Sequence, residues 1–165
     1  MIKDVSFSDF MTDTVRLLFL IDSFKNKKSF MLTDNRIKLY DYYLKFPKTM
    51  LANKNLELYF DDSLDEYYSF FHWQPNVIRY RKSLNFLLSK GLITKAEVKG
   101  KANYSIAPQG ETTVQSFNND HAKRWSPILH YIVNSASKMS DSGIDREIRD
   151  ASSVYNRIKR QGDAQ

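Results

Sequence analysis

The sequence contains no cysteine, and this absence excludes several kinds of site. Without thiols the chain has no disulfide, no zinc site with thiolate ligands and no cysteine nucleophile. It also has no long hydrophobic run, since the longest strongly apolar stretch is "VRLLFLI", which is far too short to cross a bilayer. The start "MIKDVSFSDFMTDTV" is polar and acidic, unlike a signal peptide. We therefore expect a cytoplasmic protein without a membrane partner.

Motifs of the common catalytic and phosphate-binding sites are missing as well. Gly100-Lys101 is followed by alanine and lacks the upstream glycine of a phosphate-binding loop, and no Gly-x-Ser-x-Gly motif occurs. The histidines are scattered, and none has a metal-binding spacing to a second ligand: His72, His121 and His130. The sequence therefore predicts neither a metal site nor a cofactor.

Glu97 and Lys99 form the one motif that suggests catalysis. Glu-x-Lys on a strand is found in metal-dependent nucleases, where carboxylates hold Mg²⁺ and the lysine assists the attacking water. Such a site also needs an aspartate on an adjacent strand, and the preceding segment 76–90 contains no acid. Solvated surface charges are therefore the favoured interpretation, and we expect a protein that is not an enzyme.

The composition that is present fits a folded, basic, aromatic-rich protein. Hydrophobic residues make up 42% and charged residues 27%, which suffices for one core with an appended element. The net charge of +6 permits contact with nucleic acid or with an acidic partner. Aromatic residues reach 14%, with a cluster in the stretch 59–73. We expect some of these rings at the surface, where aromatic side chains favour contacts with partners.

Hydrophobic periodicity predicts a mainly α protein with one small β-hairpin. The segments "LITKAEV" and "NYSIA", joined by "KGKA", alternate apolar and polar residues and predict the hairpin. The predicted helices span 12–25, Thr33 to Pro47 and 76–90, and others open at Pro108 and at Ser126-Pro127. We interpret 1–117 as a winged helix-turn-helix domain and 118–165 as a helical extension for partner docking.

The helix over 76–90 carries the candidate contacts to partners. Phe86 is predicted in the middle of its solvent face, where a DNA reader would have a polar side chain, so it favours a protein interface. A slightly different rotation of the helix would instead place Phe86 in the core. Basic residues of this helix and of the hairpin are candidate DNA contacts: Arg79, Lys82, Lys90, Lys95, Lys99 and Lys101. The sequence does not decide whether this helix and the hairpin contact a protein or DNA.

A second candidate interface is the apolar stripe near the end of the chain. Ile144, Ile148, Tyr155 and Ile158 recur at helical spacing and predict an amphipathic helix with a single apolar seam. We expect these side chains to act as anchors in the groove of a partner.

Two blocks of sequence together resemble a known family. The first is "RLLFLIDSF" followed by "RIKLYDYYLKFP", and the second is "NFLLSKGLI" with the hairpin and "SIAPQG". The pairing, over about residues 14–117, resembles the middle component of bacterial three-component ABC-ATPase systems and the accessory subunit of Lamassu-type anti-phage defence complexes. The resemblance implies a non-catalytic subunit that joins an SMC-like ATPase, which senses foreign DNA, to an effector nuclease. The alternative is a homodimeric winged-helix transcriptional regulator.

Overall fold

A computed structural model describes residues 7–52, 54, 56 and 76–152. Within these residues the fold is mainly helical with a two-stranded antiparallel hairpin, as the periodicity predicts. The elements in chain order are α1 Phe7–Ser23, α2 Asp34–Lys45, α3 Pro47–Leu51, α4 Val77–Ser89, β1 Ile93–Val98, β2 Lys101–Ile106, α5 Pro108–Ser116, α6 Asp120–Asn134, a 3₁₀ helix Ala136–Lys138 and α7 Asp141–Ser152. The aromatic stretch 59–73, together with Tyr155 and Ile158, lies outside the described residues.

Side-chain caps fix the starts of α2 and α4. The Thr33 hydroxyl accepts a hydrogen bond from the backbone N–H of Arg36 at 3.4 Å. The Asn76 side chain accepts from the backbone N–H groups of Ile78 and Arg79. Each cap satisfies donors that the first turn of a helix leaves without an intrahelical partner. The predicted starts of both helices are thus confirmed.

The hairpin follows α4 with a tight turn. Ile93 pairs with Ile106 and Val98 with Lys101, so only two residues connect the strands. Lys99 and Gly100 both have positive φ angles, 52° and 75°, as a two-residue type I′ turn requires. The predicted hairpin is confirmed.

α6 begins earlier than the sequence predicts. The helix starts at Asp120 and is capped by Asn119, whereas Ser126-Pro127 had indicated the start. Pro127 therefore lies inside the helix, where it removes one backbone donor. The helix is nevertheless continuous, and side chains on both sides of the proline, such as Trp125 and Ile128, are buried.

α1 lies at the centre of the hydrophobic core. It packs against α2, α4, α5, α6 and β2, and Leu17, Leu18, Leu20 and Ile21 are almost completely buried. A helix that is apolar on nearly all sides is expected in this position. It begins at Phe7, earlier than the predicted residue 12.

The described part of the predicted extension belongs to the same core. α6 packs against α1 and α2, and α7 packs against α2 and α3. Ile144 and Ile148 are 0% and 2% exposed. The prediction that these two residues form an exposed docking seam is wrong, because the apolar stripe of α7 is covered by helices of its own chain.

Candidate interaction surface

A buried ionic network fixes α4 against α1 and α2. Asp41 of α2 is completely buried, and its carboxylate accepts hydrogen bonds from Arg16 Nε at 2.5 Å and from Arg16 Nη2 at 3.1 Å. The hydroxyl of Tyr80, on α4, donates to the same carboxylate. Lys45 Nζ lies 3.6 Å from it. A buried charge is tolerated only when it is paired and hydrogen-bonded in this way.

The network keeps Asp41 ionised. Burial alone would raise the pKa of Asp41, but the charges of Arg16 and Lys45 and the hydrogen bonds from Arg16 and Tyr80 lower it below its ordinary value. Burial raises the pKa of Tyr80, and the neighbouring Asp41 carboxylate raises it further, so the phenol stays protonated as a donor.

Two polar side chains of α4 are used inside the chain. Arg79 forms an ion pair with Asp13 of α1. Ser83 is buried, and its hydroxyl accepts a hydrogen bond from the Thr14 hydroxyl at 3.1 Å. The face of α4 that carries Arg79 and Ser83 is therefore turned toward α1. This makes Arg79 a structural partner of Asp13 rather than an unpaired phosphate contact.

Phe86 lies on the same side of α4 and is half-buried. Its ring packs edge-on against Phe10 of α1, with the centroids 5.7 Å apart and the planes at 88°. Lys90 Nζ lies 5.6 Å from the centroid of the Phe86 ring. The prediction of a bare ring in the middle of the solvent face is wrong, because the helix is rotated so that Phe86 contacts α1.

The exposed face of α4 is instead formed by residues opposite its buried stripe. Ile78 is 65% exposed, and four polar or charged side chains are also exposed on this helix: Arg81, Lys82, Asn85 and Ser89. Their spacing places Ile78, Lys82, Asn85 and Ser89 on one face, with Arg81 at its edge. We call these five residues the α4 face. Arg81 and Lys82 make no ion pair with any other described residue.

Sequence reasoning named only Lys82 from the α4 face. The signal that would have found the others is the buried stripe of Tyr80, Leu84 and Leu87. A helical wheel centred on that stripe puts Ile78 and Asn85 on the opposite side.

The hairpin carries the remaining predicted cations. Lys95, Lys99 and Lys101 are exposed, and the last two flank Gly100 at the turn. Lys95 Nζ lies 6.0 Å from the centroid of the Tyr104 ring, which orients its stem along the hairpin. Lys99 and Lys101 make the tip of the hairpin basic, and Lys95 lies further along β1. The charge of Lys101 already acts on Asp141, whose pKa it helps to lower, so Lys95 and Lys99 are the hairpin lysines better placed for an anionic partner.

Glu97 and Lys99 do not acquire the surroundings of a nuclease site. Glu97 lies opposite Ala102 in the hairpin, so the neighbouring strand offers no carboxylate there. Within the part of the chain that the structure describes, no three His, Asp or Glu side chains are grouped so that they could hold a metal ion.

No protein-family model matches this chain, and neither a curated protein nor a solved structure matches it. Among the described helices, none combines the length and the apolar character that crossing a membrane requires.

Proposed function

We propose that this chain is a non-catalytic accessory subunit of a bacterial anti-phage defence complex, which joins an SMC-like ABC ATPase to an effector nuclease. The resemblance of the two sequence blocks supports this role. The order of α1, α2, α4 and the hairpin supports the interpretation of residues 1–117 as a winged helix-turn-helix domain. Winged-helix domains serve as protein-docking modules as well as DNA readers, so the fold alone does not decide between partners.

The way in which the hairpin is anchored also supports the winged-helix interpretation. The backbone N–H of Tyr104 donates to the carbonyl of Leu32 at 3.0 Å, and the N–H of Leu32 donates to Asn103 Oδ1 at 2.8 Å. Leu32 lies in the connection between α1 and α2. In a winged helix this connection lies beside the second strand of the wing, so these two hydrogen bonds fit that topology.

The observation that carries the proposal is the composition of the α4 face. Ile78 is a large apolar side chain left mostly in solvent, and Arg81 and Lys82 lie next to it. An apolar anchor with a charged rim is the usual make-up of a protein interface. Val77, which precedes Ile78, is 46% exposed as well. Neighbouring exposed apolar side chains, rather than single ones, mark such contacts.

The proposal requires genes for an SMC-like ATPase and a nuclease beside the gene for this chain, and it is tested by co-expressing the full chain with their products. We expect one complex in gel filtration at about 0.5 M salt, where surface charge contacts are screened. Ile78→Asp should weaken the complex, whereas Gln115→Asp, which adds the same charge on the exposed side of α5, should not. If the chain elutes from gel filtration alone, without the ATPase and the nuclease, the result contradicts the proposal.

A second candidate function, a DNA-binding transcriptional regulator, is favoured by three side chains of the α4 face. Arg81 and Lys82 are exposed and form no ion pair with residues that the structure describes, and Asn85 lies between them and the end of the helix. Arginine and lysine bind phosphates or guanine, and asparagine can bind the edge of adenine in the major groove. Since Phe86 packs on Phe10, the apolar ring no longer argues against this candidate.

Fluorescence anisotropy with duplexes of about 20 bp separates the two functions. For a regulator, we expect nanomolar binding to a palindromic site, and Arg81→Ala and Lys82→Ala should each reduce the salt slope by about one. Lys28→Ala and Lys123→Ala, on exposed lysines away from the α4 face, are the controls. Weak binding without sequence preference would exclude a regulator and remain compatible with non-specific DNA contact inside a complex.

A further inference from the structure

A cleft of about 360 Å³ lies where α1, α2, α4 and α7 meet. It is separate from the α4 face, because α4 lines it with Asn76, Arg79, Tyr80 and Ser83. Its volume lies within the range in which proteins bind small molecules or a few side chains of a partner. The cleft therefore offers a second binding site that the proposed function has not used.

The lining of the cleft is predominantly basic. Its charged residues are the cations Arg16, Lys38, Lys45 and Arg79 and the anions Asp13 and Asp145. Asp13 is shared between Arg16 and Arg79, and Asp145 forms an ion pair with Arg149 outside the lining. Lys38 makes no ion pair with another described residue. Arg16 and Lys45 are also paired with the buried Asp41, so Lys38 carries the lining charge that no described carboxylate pairs with.

The cleft also has apolar lining residues, which are Leu17 of α1, Leu39 and Tyr42 of α2 and Ile148 of α7. Leu17, Tyr42 and Ile148 are almost completely buried, whereas Leu39 is half-buried, so part of its side chain remains accessible to an occupant. Leu39 directly follows Lys38 in the sequence. An occupant that matches both features has a carboxylate near Lys38 and an apolar group beside it that contacts Leu39.

We propose that this cleft receives an acidic segment of a partner protein, in which a carboxylate side chain lies next to an apolar one. Charge complementarity selects this occupant over a basic segment, and the apolar lining residues favour it over a nucleic acid backbone, which has no apolar side chain to place beside its charge. The inference rests on the proposed accessory role and names the chemistry of the partner segment. Lys38 is the positioning cation, because it is the lining cation without an intrachain ion pair among the described residues.

The experiment uses the full chain as the target for a phage-displayed library of random dodecapeptides. We expect the selected peptides to contain Asp or Glu next to Leu, Ile or Phe. They should bind Lys38→Glu about tenfold more weakly than the wild type, because a favourable charge contact becomes a repulsive one. Lys28→Glu makes the same change of net charge on an exposed loop and should leave binding unchanged.

Three results would overturn the inference: no enrichment of acidic-apolar peptides, equal binding to Lys38→Glu and the wild type, or displacement of the peptides by millimolar inorganic phosphate. The last result would indicate a site for small anions. Failure here is distinguishable from failure of the accessory role, because the co-expression experiment does not depend on the selected peptides. If the chain binds acidic peptides at the cleft but does not bind the ATPase, the cleft inference is supported and the accessory role is contradicted.

Discussion

At the scale of single residues, Asp41 determines how α1, α2 and α4 fit together. Its carboxylate is shared by Arg16 of α1, Lys45 of α2 and Tyr80 of α4. Arg16 is itself buried and is paired with both Asp41 and Asp13, so removing either carboxylate would leave its charge less compensated. The network therefore holds the orientation of α4 that turns Arg79 toward α1 and leaves the α4 face in solvent.

Asp41→Asn should strongly destabilise the protein. The amide cannot neutralise Arg16, which would remain buried with only Asp13, a carboxylate that it shares with Arg79, and we expect a loss of about 3 kcal/mol in the free energy of unfolding. Asp145→Asn is the matched control, because it breaks an exposed pair with Arg149 and should cost no more than about 0.5 kcal/mol. Urea denaturation followed by circular dichroism measures both. Equal losses would mean that the buried network contributes nothing beyond a surface pair.

The stability that Asp41 provides should disappear in acid. Its pKa is lowered in the folded protein, so its contribution is present above the pKa of the unfolded chain and is lost as the pH falls through the folded value. The difference in unfolding free energy between wild type and Asp41→Asn should therefore be full at neutral pH and shrink below about pH 4. Urea denaturation at a series of pH values measures this difference. If the stability difference between the wild type and Asp41→Asn is unchanged well below pH 4, the ionisation of Asp41 is not its cause.

At the scale of elements, the sequence predicts the starts of α2 and α4 and the hairpin turn, but not the starts of α1 and α6 or the direction in which α4 faces. The caps Thr33 and Asn76 and the turn at Gly100 act on their immediate neighbours, so a short window of sequence is enough to recognise them. The rotation of α4 depends on Arg79 and Ser83, whose partners lie 66 and 69 residues away in the sequence. Periodicity alone does not distinguish a polar side chain that is bound inside the chain from one in solvent. The sequence therefore favours a solvent position for Phe86 but leaves open the rotation of α4 that would bury it.

A second element-scale constraint is the close approach of α5 to the hairpin. A Cβ atom at Gly110 would lie 1.9 Å from the carbonyl oxygen of Leu92 and 2.7 Å from Ile106 Cδ1. Because the first of these atoms belongs to the backbone, it cannot move aside without displacing the start of β1. Glycine at this position thus permits α5 to pack directly on the hairpin.

Gly110→Ala should destabilise the protein by about 2 kcal/mol or more, since overpacking forces a shift of the backbone. Gly143→Ala is the matched control in the first turn of α7, where the new Cβ would meet the Ser140 hydroxyl at 3.2 Å. Alanine favours a helix over glycine, so this change should alter stability by less than about 1 kcal/mol. Both unfolding free energies are measured in urea. If Gly110→Ala were as mild as Gly143→Ala, α5 would not approach the hairpin as closely as the structure places it.

At the scale of the whole molecule, contacts distant in sequence join residues 118–152 to the rest. The Tyr43 hydroxyl donates to Glu147 at 2.9 Å, and Lys27 Nζ donates to the Ser137 hydroxyl at 2.8 Å. These partners are separated by 104 and 110 residues. The sequence predicts 118–165 as an extension because no recognisable motif lies in it. A helix with a single apolar face has the same sequence pattern whether that face packs against a partner or against the rest of its own chain.

Removing residues 118–165 should therefore abolish cooperative unfolding rather than leave an intact winged helix. The truncation would expose the sides of α1 and α2 that α6 covers, together with the sides of α2 and α3 that α7 covers. In the full chain, Ile148→Ala should cost about 3 kcal/mol because it leaves a cavity in the core, whereas Ile78→Ala, on a side chain that is 65% exposed, should change stability by less than about 0.5 kcal/mol. Urea denaturation compares all three. Two results would contradict this: a truncated chain that unfolds in a sharp transition, or an Ile148→Ala variant as stable as Ile78→Ala. Either would mean that the last helices are a separate docking extension, and Ile144 and Ile148 would again be candidate interface residues.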